Sequence, residues 1–241
     1  MDKPTFVFSL GAWLTPIVFD TVRDRLDALG YPSECPAHPS IGAEPPSLTL
    51  EDDVACLHRV LTGLADEGKE IVVVAHSYGG VVASSASDGL GKHVRAESGK
   101  TGGIVKIVYL AAFALDNGQS LLGMLGEIKL TKEKGDYVHV DGVDNIGWQD
   151  LTVEEQEKWN GSMMHTSRAV FAGETTYEPW RDIPCSYIIC EQDQALPAAF
   201  QELFASKMGG PDRTHRLPSS HSPFLSMPDR LVSVLQETVK V

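Results

Sequence analysis

The chain has 241 residues, of which 42% are hydrophobic and 22% are charged, a length and composition that suit one globular unit with a sizeable core. Its 20 basic and 33 acidic residues give a net charge of −13, which disfavours binding to nucleic acid or to an anionic membrane surface. No apolar run reaches the roughly 18 residues that a transmembrane helix needs, and the first residues lack a signal-peptide pattern. We therefore expect a cytoplasmic protein whose four cysteines are free thiols.

The first half of the chain alternates between short apolar runs and helical periodicities. The β-branched run at 71–74 is the strongest signal for a central strand, because it is too short and too apolar for a surface helix. Thr49 and Asp52 have the spacing of a capping box, which marks the start of a helix. The predicted elements are a strand at 6–10, a helix at 17–29, a short strand within 31–46, a helix at 49–64, a strand at 71–74, a helix at 80–90, a loop at 91–103 and a strand at 104–113.

The segment from about 118 to 180 breaks this alternation. It contains a possible hairpin near 137–141 and an acidic helix that begins near Thr152. The alternation then resumes with a strand at 186–190, a helix at 198–207, a strand at 213–217 and a helix after Pro223. The pattern predicts an α/β fold, with a mostly parallel sheet covered by helices on both faces. We expect residues 1–117 and 181–241 to form the core and residues 118–180 to form a cap inserted before the last strands.

A candidate nucleophile follows the central strand. The sequence there reads Ala75-His76-Ser77-Tyr78-Gly79-Gly80, which has the spacing of a nucleophile elbow between a buried strand and a helix. Such a turn projects the serine hydroxyl above the sheet, and its flanking residues must be small because strand and helix nearly touch. Ala75 replaces the usual first glycine, a change of one methyl group that the turn should tolerate. We predict that Ser77 is the nucleophile; the alternative is a helix-capping serine.

With this elbow, the chain resembles the α/β-hydrolase superfamily. More narrowly, it looks like the small, cofactor-free branch that contains plant methylesterases, hydroxynitrile lyases and microbial relatives. The resemblance covers nearly the whole chain and rests on five segments: Leu10-Gly11-Ala12-Trp13, residues 75–80, Tyr109-Leu110-Ala111-Ala112-Phe113, residues 190–197 and His221-Ser222-Pro223-Phe224. It implies the α/β-hydrolase fold and no cofactor.

A serine hydroxyl becomes a strong nucleophile when a histidine takes its proton. The chain order serine, acid, histidine of the resembling fold places this base at His221, between the last predicted strand and the last helix. His76 adjoins Ser77, but the sharp turn should point it away, and His215 lies inside the preceding strand. We predict structural or solvent-exposed roles for these two. No pair of histidines has metal-ligand spacing, so we expect no metal site.

The histidine needs a carboxylate that fixes its tautomer and offsets its developing charge. Asp193 lies just past the strand at 186–190, in the position that the resembling family gives its acid. Asp116 is the alternative when the acid shifts to the previous strand, and Glu191 is a third candidate. For both of these, a solvated loop carboxylate is the favoured interpretation.

The resemblance also implies an oxyanion hole made by the backbone N–H groups of Ala12 and Tyr78. Family members usually carry histidine where this chain has Leu10, and that histidine is generally structural. Hydroxynitrile lyases of this type need a threonine and a lysine at the positions of Gly11 and Ser222, so this sequence argues against a lyase. A serine in the elbow argues against the branches that use an aspartate nucleophile.

Aromatic and methionine side chains are dense in the predicted cap, and such side chains usually line an apolar pocket or pack the cap onto the sheet. The candidate pocket residues are Trp13, Trp148, Trp159, Met163 and Trp180.

The predicted function is a serine hydrolase, of the esterase or lactonase type, that acts on a small-to-medium hydrophobic ester or lactone through an acyl-enzyme. The alternatives are C–C cleavage, thioester hydrolysis or cyclisation in secondary metabolism, and a small-ligand receptor without turnover. We expect no nucleic-acid or membrane partner and leave a homodimer open.

Overall fold

A computed structural model describes residues 3–126 and 131–239 of the chain. The strands within these residues are β1 Thr5–Ser9, β2 Ser33–Glu34, β3 Glu70–His76, β4 Gly103–Leu110, β5 Thr131–Lys134, β6 Tyr137–Val140, β7 Thr166–Ser167, β8 Cys185–Cys190 and β9 Thr214–Leu217. Six of them form one sheet in the order β2-β1-β3-β4-β8-β9, and every pairing in this sheet is parallel. The predicted parallel sheet is confirmed.

The α-helices in the described part of the chain are α1 Asp20–Ala28, α2 Leu50–Asp66, α3 Gly79–Ala86, α4 Lys92–Glu97, α5 Leu121–Leu125, α6 Val143–Ile146, α7 Val153–Asn160, α8 Ala198–Ala205, α9 Pro223–Ser226 and α10 Pro228–Val239. The capping box predicted for α2 is present, because the backbone N–H of Thr49 donates to Asp52 Oδ2 at 2.8 Å. None of the helices described here is both long enough and apolar enough to cross a membrane.

The two faces of the parallel sheet are each covered by helices. Along β3, Val73 packs into a cluster with residues of α2 and α3, whereas Val72 and Val74 pack into a second cluster with residues of α1 and α10. All three valines are fully buried. This two-sided burial explains why the strand is a continuous apolar run rather than an alternating pattern.

The segment between β4 and β8 adds a second sheet. Strands β5, β6 and β7 pair antiparallel in that order, and the predicted hairpin corresponds to β5 and β6. The predicted acidic helix is α7, whose Thr152 hydroxyl accepts a hydrogen bond from the Glu155 N–H at 3.3 Å. We call residues 118–180 the cap.

The loop predicted at 91–103 is wrong in part, because residues Lys92–Glu97 form helix α4. The helix contains Arg95, which is buried although its surroundings in the sequence are polar. The guanidinium of Arg95 donates to the Gly102 carbonyl at 2.8 Å and to Asp66 Oδ1 at 2.7 Å. Both hydrogen-bond partners of Arg95 lie outside the helix, so the sequence pattern of residues 91–103 did not indicate a helix there.

The glycines of the turn between β3 and α3 generate a stability prediction. A Cβ at Gly80 would lie 2.2 Å from the backbone oxygen of Phe113, so Gly80→Ala should lower the free energy of unfolding by about 1–3 kcal/mol or more. Gly63→Ala in the last turn of α2 is the matched control, since its Cβ would meet no atom within 4 Å. It should stabilise the protein by up to about 1 kcal/mol. Urea unfolding measures both; equal effects of the two substitutions would contradict the close packing at this turn.

Candidate active site

Ser77 lies at the turn between β3 and α3 and has a left-handed backbone, with φ of 53°. This conformation is rare for residues other than glycine and is held here by neighbouring backbone. The carbonyl of Ser77 accepts hydrogen bonds from the N–H of Gly80 at 3.0 Å and of Phe113 at 3.1 Å. A Cβ at Gly79 would lie 2.3 Å from the backbone oxygen of Ser9, so only glycine fits there. The turn therefore has the geometry of a nucleophile elbow.

His221 and Asp193 are hydrogen-bonded to each other. The Nδ1 of His221 lies 2.6 Å from Asp193 Oδ2, and both side chains are largely buried. Asp193 follows β8 and His221 follows β9, so the two neighbouring parallel strands bring them to the same edge of the sheet as Ser77. This bond makes Nδ1 the protonated nitrogen and leaves Nε2 free to accept a proton.

The Asp193 carboxylate is fixed by three further donors. Its Oδ1 accepts from the N–H groups of Ala195 and Leu196, both at 2.8 Å, and its Oδ2 also accepts from Gln201 Nε2 at 3.0 Å. Gln201, on α8, is itself fully buried and bonds both backbone groups of Cys190. The carboxylate therefore has one orientation, which sets the position of the imidazole.

His76 supports the other side of His221. Its Nε2–H donates to the backbone carbonyl of His221 at 2.9 Å, and the two rings lie 4.5 Å apart between centroids. Burial, with the adjacent His221 as a second cause, holds the pKa of His76 well below its ordinary value of 6.5. His76 is therefore neutral at neutral pH. Its hydrogen bond supports the loop that carries His221, in agreement with its predicted structural role.

Tyr78, the residue after Ser77, is anchored by a buried carboxylate. Its phenol donates to Asp53 Oδ2 at 2.7 Å, and Asp53 also accepts from the N–H and hydroxyl of Ser40 at 2.9 and 2.6 Å. Burial first, and then Asp53, raise the pKa of Tyr78 well above its ordinary value. The tyrosine thus stays protonated and ties the elbow to α2. This role of Asp53 could not be predicted, since Asp53 is one of several acidic residues in the first turn of that helix.

The N–H groups of Ala12 and Tyr78 were predicted to bind an oxyanion. Neither N–H donates a hydrogen bond to any group in the described part of the chain. Ala12 lines the same cavity as Ser77, and Tyr78 follows Ser77 directly. Within the described residues, both N–H groups thus meet one requirement of an oxyanion donor, which is to have no protein acceptor.

A cavity of about 320 Å³ contains Ser77 and His221. No Asp, Glu, Lys or Arg is among its lining residues in the described part of the chain. They are Gly11, Ala12, Trp13, Leu14, His76, Ser77, Phe113, Leu125, Val140, Val143, Ile146, Gly147, Trp148, Met163, Ala195, Leu196, Pro197, Phe200, His221 and Ser222. An apolar, uncharged lining around a few polar groups is typical of a site for a small organic ligand.

The five predicted pocket residues divide between this cavity and other places. Trp13, Trp148 and Met163 line it. Trp180 lies elsewhere and packs on Tyr109, with 6.3 Å between ring centroids. Trp159 packs at the edge of the core cluster that contains Trp148. The lining residues Phe113, Phe200 and Val140 were not predicted, because apolar side chains on a loop, a helix and a hairpin carry no signal of a shared cavity.

The other candidate acids have other partners. Asp116 Oδ1 forms an ion pair with Lys207 at 2.6 Å, and Glu191 is exposed, 4.0 Å from Arg216. His215 lies on β9, 3.9 Å from Glu237. These placements agree with the solvated loop carboxylates that we favoured for Asp116 and Glu191 and with a structural or solvent-exposed role for His215.

A larger open groove of about 850 Å³ runs along α2, but none of the predicted site residues lines it. The described residues include no group of three or more histidine, cysteine or acidic side chains that could hold a metal ion.

Comparison with known proteins gives the family. Residues 6–234 match the sequence pattern of the alpha/beta hydrolase family, and the chain belongs to this family. The predicted α/β-hydrolase fold is thus confirmed, and the protein is a hydrolase of that family.

Two fungal relatives align over nearly their whole length. The "Alpha/beta hydrolase nvfD" of Aspergillus novofumigatus is 28% identical, with 98% of this chain and 96% of the relative covered. The "Probable hydrolase R7" of a Phoma species is also 28% identical, with 98% of each covered. Among solved structures, polyneuridine aldehyde esterase superposes with a TM-score of 0.76 at 19% identity, covering 98% of this chain and 99% of that one. At this identity the superposition shows the fold.

The lowered pKa of His76 predicts a pH dependence of stability. Between its ordinary pKa of 6.5 and its lower folded value, the unfolded chain binds a proton that the folded protein does not, so stability falls as the pH falls below 6.5. His76→Gln keeps an N–H donor but cannot titrate. Between pH 7.5 and 5.5 the wild type should therefore lose more stability than the variant, by up to about 1.4 kcal/mol. Urea unfolding at the two pH values measures this difference.

The exposed His93, changed to Gln in the same way, is the control and should keep the wild-type loss. If His76→Gln loses as much stability as the wild type over this range, then His76 does not carry the dependence.

Proposed function

We propose that this protein is a serine hydrolase that cleaves a small-to-medium, uncharged carboxylic ester or lactone through an acyl-enzyme. The observation that carries the proposal is the buried hydrogen bond of 2.6 Å between His221 Nδ1 and Asp193 Oδ2, together with the apolar cavity that His221 and Ser77 both line. A histidine oriented in this way is suited to take the proton of a serine hydroxyl.

In the proposed mechanism, His221 Nε2 accepts the proton of Ser77 as the Ser77 Oγ attacks the ester carbonyl carbon. The N–H groups of Ala12 and Tyr78 stabilise the negative charge that develops on the carbonyl oxygen. The imidazolium then gives its proton to the departing alkoxide, and the C–O bond of the ester breaks to leave an acyl group on Ser77. His221 then deprotonates a water molecule, which attacks the acyl carbon. The bond between that carbon and Ser77 Oγ breaks, His221 returns the proton to Ser77 Oγ, and the carboxylic acid leaves.

The proposed substrate class follows from the size and charge of the cavity. A volume of about 320 Å³ lies at the lower end of the range of about 300–1,000 Å³ for small-molecule sites, so the part of the substrate near Ser77 is small. Because the lining carries no fixed charge, a carboxylate or ammonium on that part of the substrate would be buried without a partner. The fold that this chain shares with polyneuridine aldehyde esterase is compatible with ester cleavage.

The proposal predicts a preference between two activated esters of similar size. The neutral p-nitrophenyl butyrate should be hydrolysed with a kcat/KM at least about a hundredfold above that of the monoanionic p-nitrophenyl succinate, because the cavity offers the anion no partner. Release of p-nitrophenol at pH 7.5 measures both rates. Equal rates for the two esters, or faster cleavage of the anion, would contradict the substrate class.

Ser77→Ala is the control that assigns the turnover to this site, and it should remove the activity while the thermal unfolding midpoint stays within a few degrees. Wild-type protein should also bind a fluorophosphonate covalently at Ser77. A protein that only binds small ligands need not activate its serine, so absence of this adduct would contradict a hydrolase mechanism.

A further inference from the structure

The loop that carries Ala12 is held by the cap. Trp13, the next residue, has a left-handed backbone with φ of 67°, an uncommon conformation for a large side chain. Three hydrogen bonds join it to the cap. Its N–H donates to Thr166 Oγ1 at 3.0 Å, its indole N–H donates to the Val138 carbonyl at 2.9 Å, and its carbonyl accepts from the Met164 N–H at 3.0 Å.

Of these bonds, the one to Thr166 acts closest to Ala12. It fixes the N–H of the peptide group that joins Ala12 to Trp13, and therefore the plane of that peptide group. With this plane fixed, the Ala12 N–H can change direction only through torsions of Gly11 and Ala12 that act against an anchored neighbour. The Thr166 hydroxyl thus restricts the direction of the neighbouring Ala12 N–H, which we have proposed as an oxyanion donor.

Thr166 is itself rigidly placed and lies outside the cavity lining. It is fully buried on β7, where it pairs with Val138 of β6 on one side and with Ile41 on the other. Thr166 is absent from the set of described residues that line the cavity around Ser77. An effect of this residue on catalysis would therefore act through Trp13 rather than through contact with the substrate.

We infer that Thr166 is a positioning residue through which the cap sets the oxyanion donor of Ala12, an inference that rests on the proposed function. Oxyanion donors act on charge that develops in the transition state, so misplacing one lowers kcat more than it raises KM. A residue that only supports the cap would alter stability or substrate binding instead.

The experiment compares Thr166→Val, which removes the hydroxyl but keeps the shape, with Thr166→Ser, which restores the hydroxyl. The matched control is Thr175→Val, because Thr175 is an equally buried threonine of the cap whose hydroxyl has no hydrogen-bond partner in the described part of the chain. Each variant is assayed for kcat and KM on p-nitrophenyl butyrate. Each is also assayed for inhibition by an aliphatic trifluoromethyl ketone, which forms a tetrahedral oxyanion adduct with an active serine.

Thr166→Val should lower kcat about tenfold or more with KM within about twofold, since misplacing a donor costs less than the hundredfold or greater loss from deleting one. Its inhibition constant for the ketone should rise by a similar factor. Thr166→Ser and Thr175→Val should stay within about twofold of wild type in kcat. If Thr166→Val does not fold, Thr166→Ala and Thr175→Ala provide the same comparison.

The inference is overturned if Thr166→Val and Thr175→Val have the same kcat, or if the loss in Thr166→Val lies in KM alone. Ser77→Ala separates this outcome from failure of the proposed function. If Ser77→Ala abolishes ester cleavage while Thr166→Val leaves kcat unchanged, only the positioning role is wrong. If Ser77→Ala keeps the activity, the proposed function itself is wrong.

Discussion

The hydrogen bond between His221 and Asp193 is the interaction on which the proposed chemistry depends, and much of the fold serves to make it. Its two residues follow β8 and β9, and Ser77 follows β3, so three distant parts of the chain must meet at one edge of the sheet. Parallel strands do this directly, because their carboxyl ends all lie at the same edge. Helix α8 then contributes Gln201, which fixes the carboxylate that orients the imidazole.

The cap is connected to both sides of this site. On one side Asp150 Oδ2 accepts from the N–H of Ser220, next to His221, at 2.9 Å. On the other side Thr166 holds Trp13, next to Ala12. The cap therefore contributes more than apolar walls, because it also holds the loops that carry the proposed base and one proposed oxyanion donor. The geometry of the site therefore depends on the correct placement of the cap.

Sequence patterns predicted those structural features that are determined by residues close together in the chain. The β-branched run of β3, the capping box at Thr49 and the small residues around Ser77 act over a few residues, and each lies where it was predicted. By contrast, the roles of Asp53 and Thr166 depend on partners 25 and 153 residues away. A polar side chain with a distant partner looks like any other polar residue in the sequence. The same reason explains the missed helix α4 and the apolar side chains of the cavity.

The central claim, that Asp193 orients His221 for catalysis, is tested most directly by kcat for Asp193→Asn and Asp116→Asn. In the Asp193→Asn variant, the N–H groups of Ala195 and Leu196 would keep the amide oxygen in the place of Oδ1, so the amide nitrogen would replace Oδ2 and face His221 Nδ1. That nitrogen cannot accept the Nδ1 proton, and the imidazole would adopt the wrong tautomer for a base. We therefore predict a loss of about 10⁴ in kcat for Asp193→Asn and a rate near wild type for Asp116→Asn. A large loss for Asp116→Asn, with Asp193→Asn nearly silent, would contradict the claim.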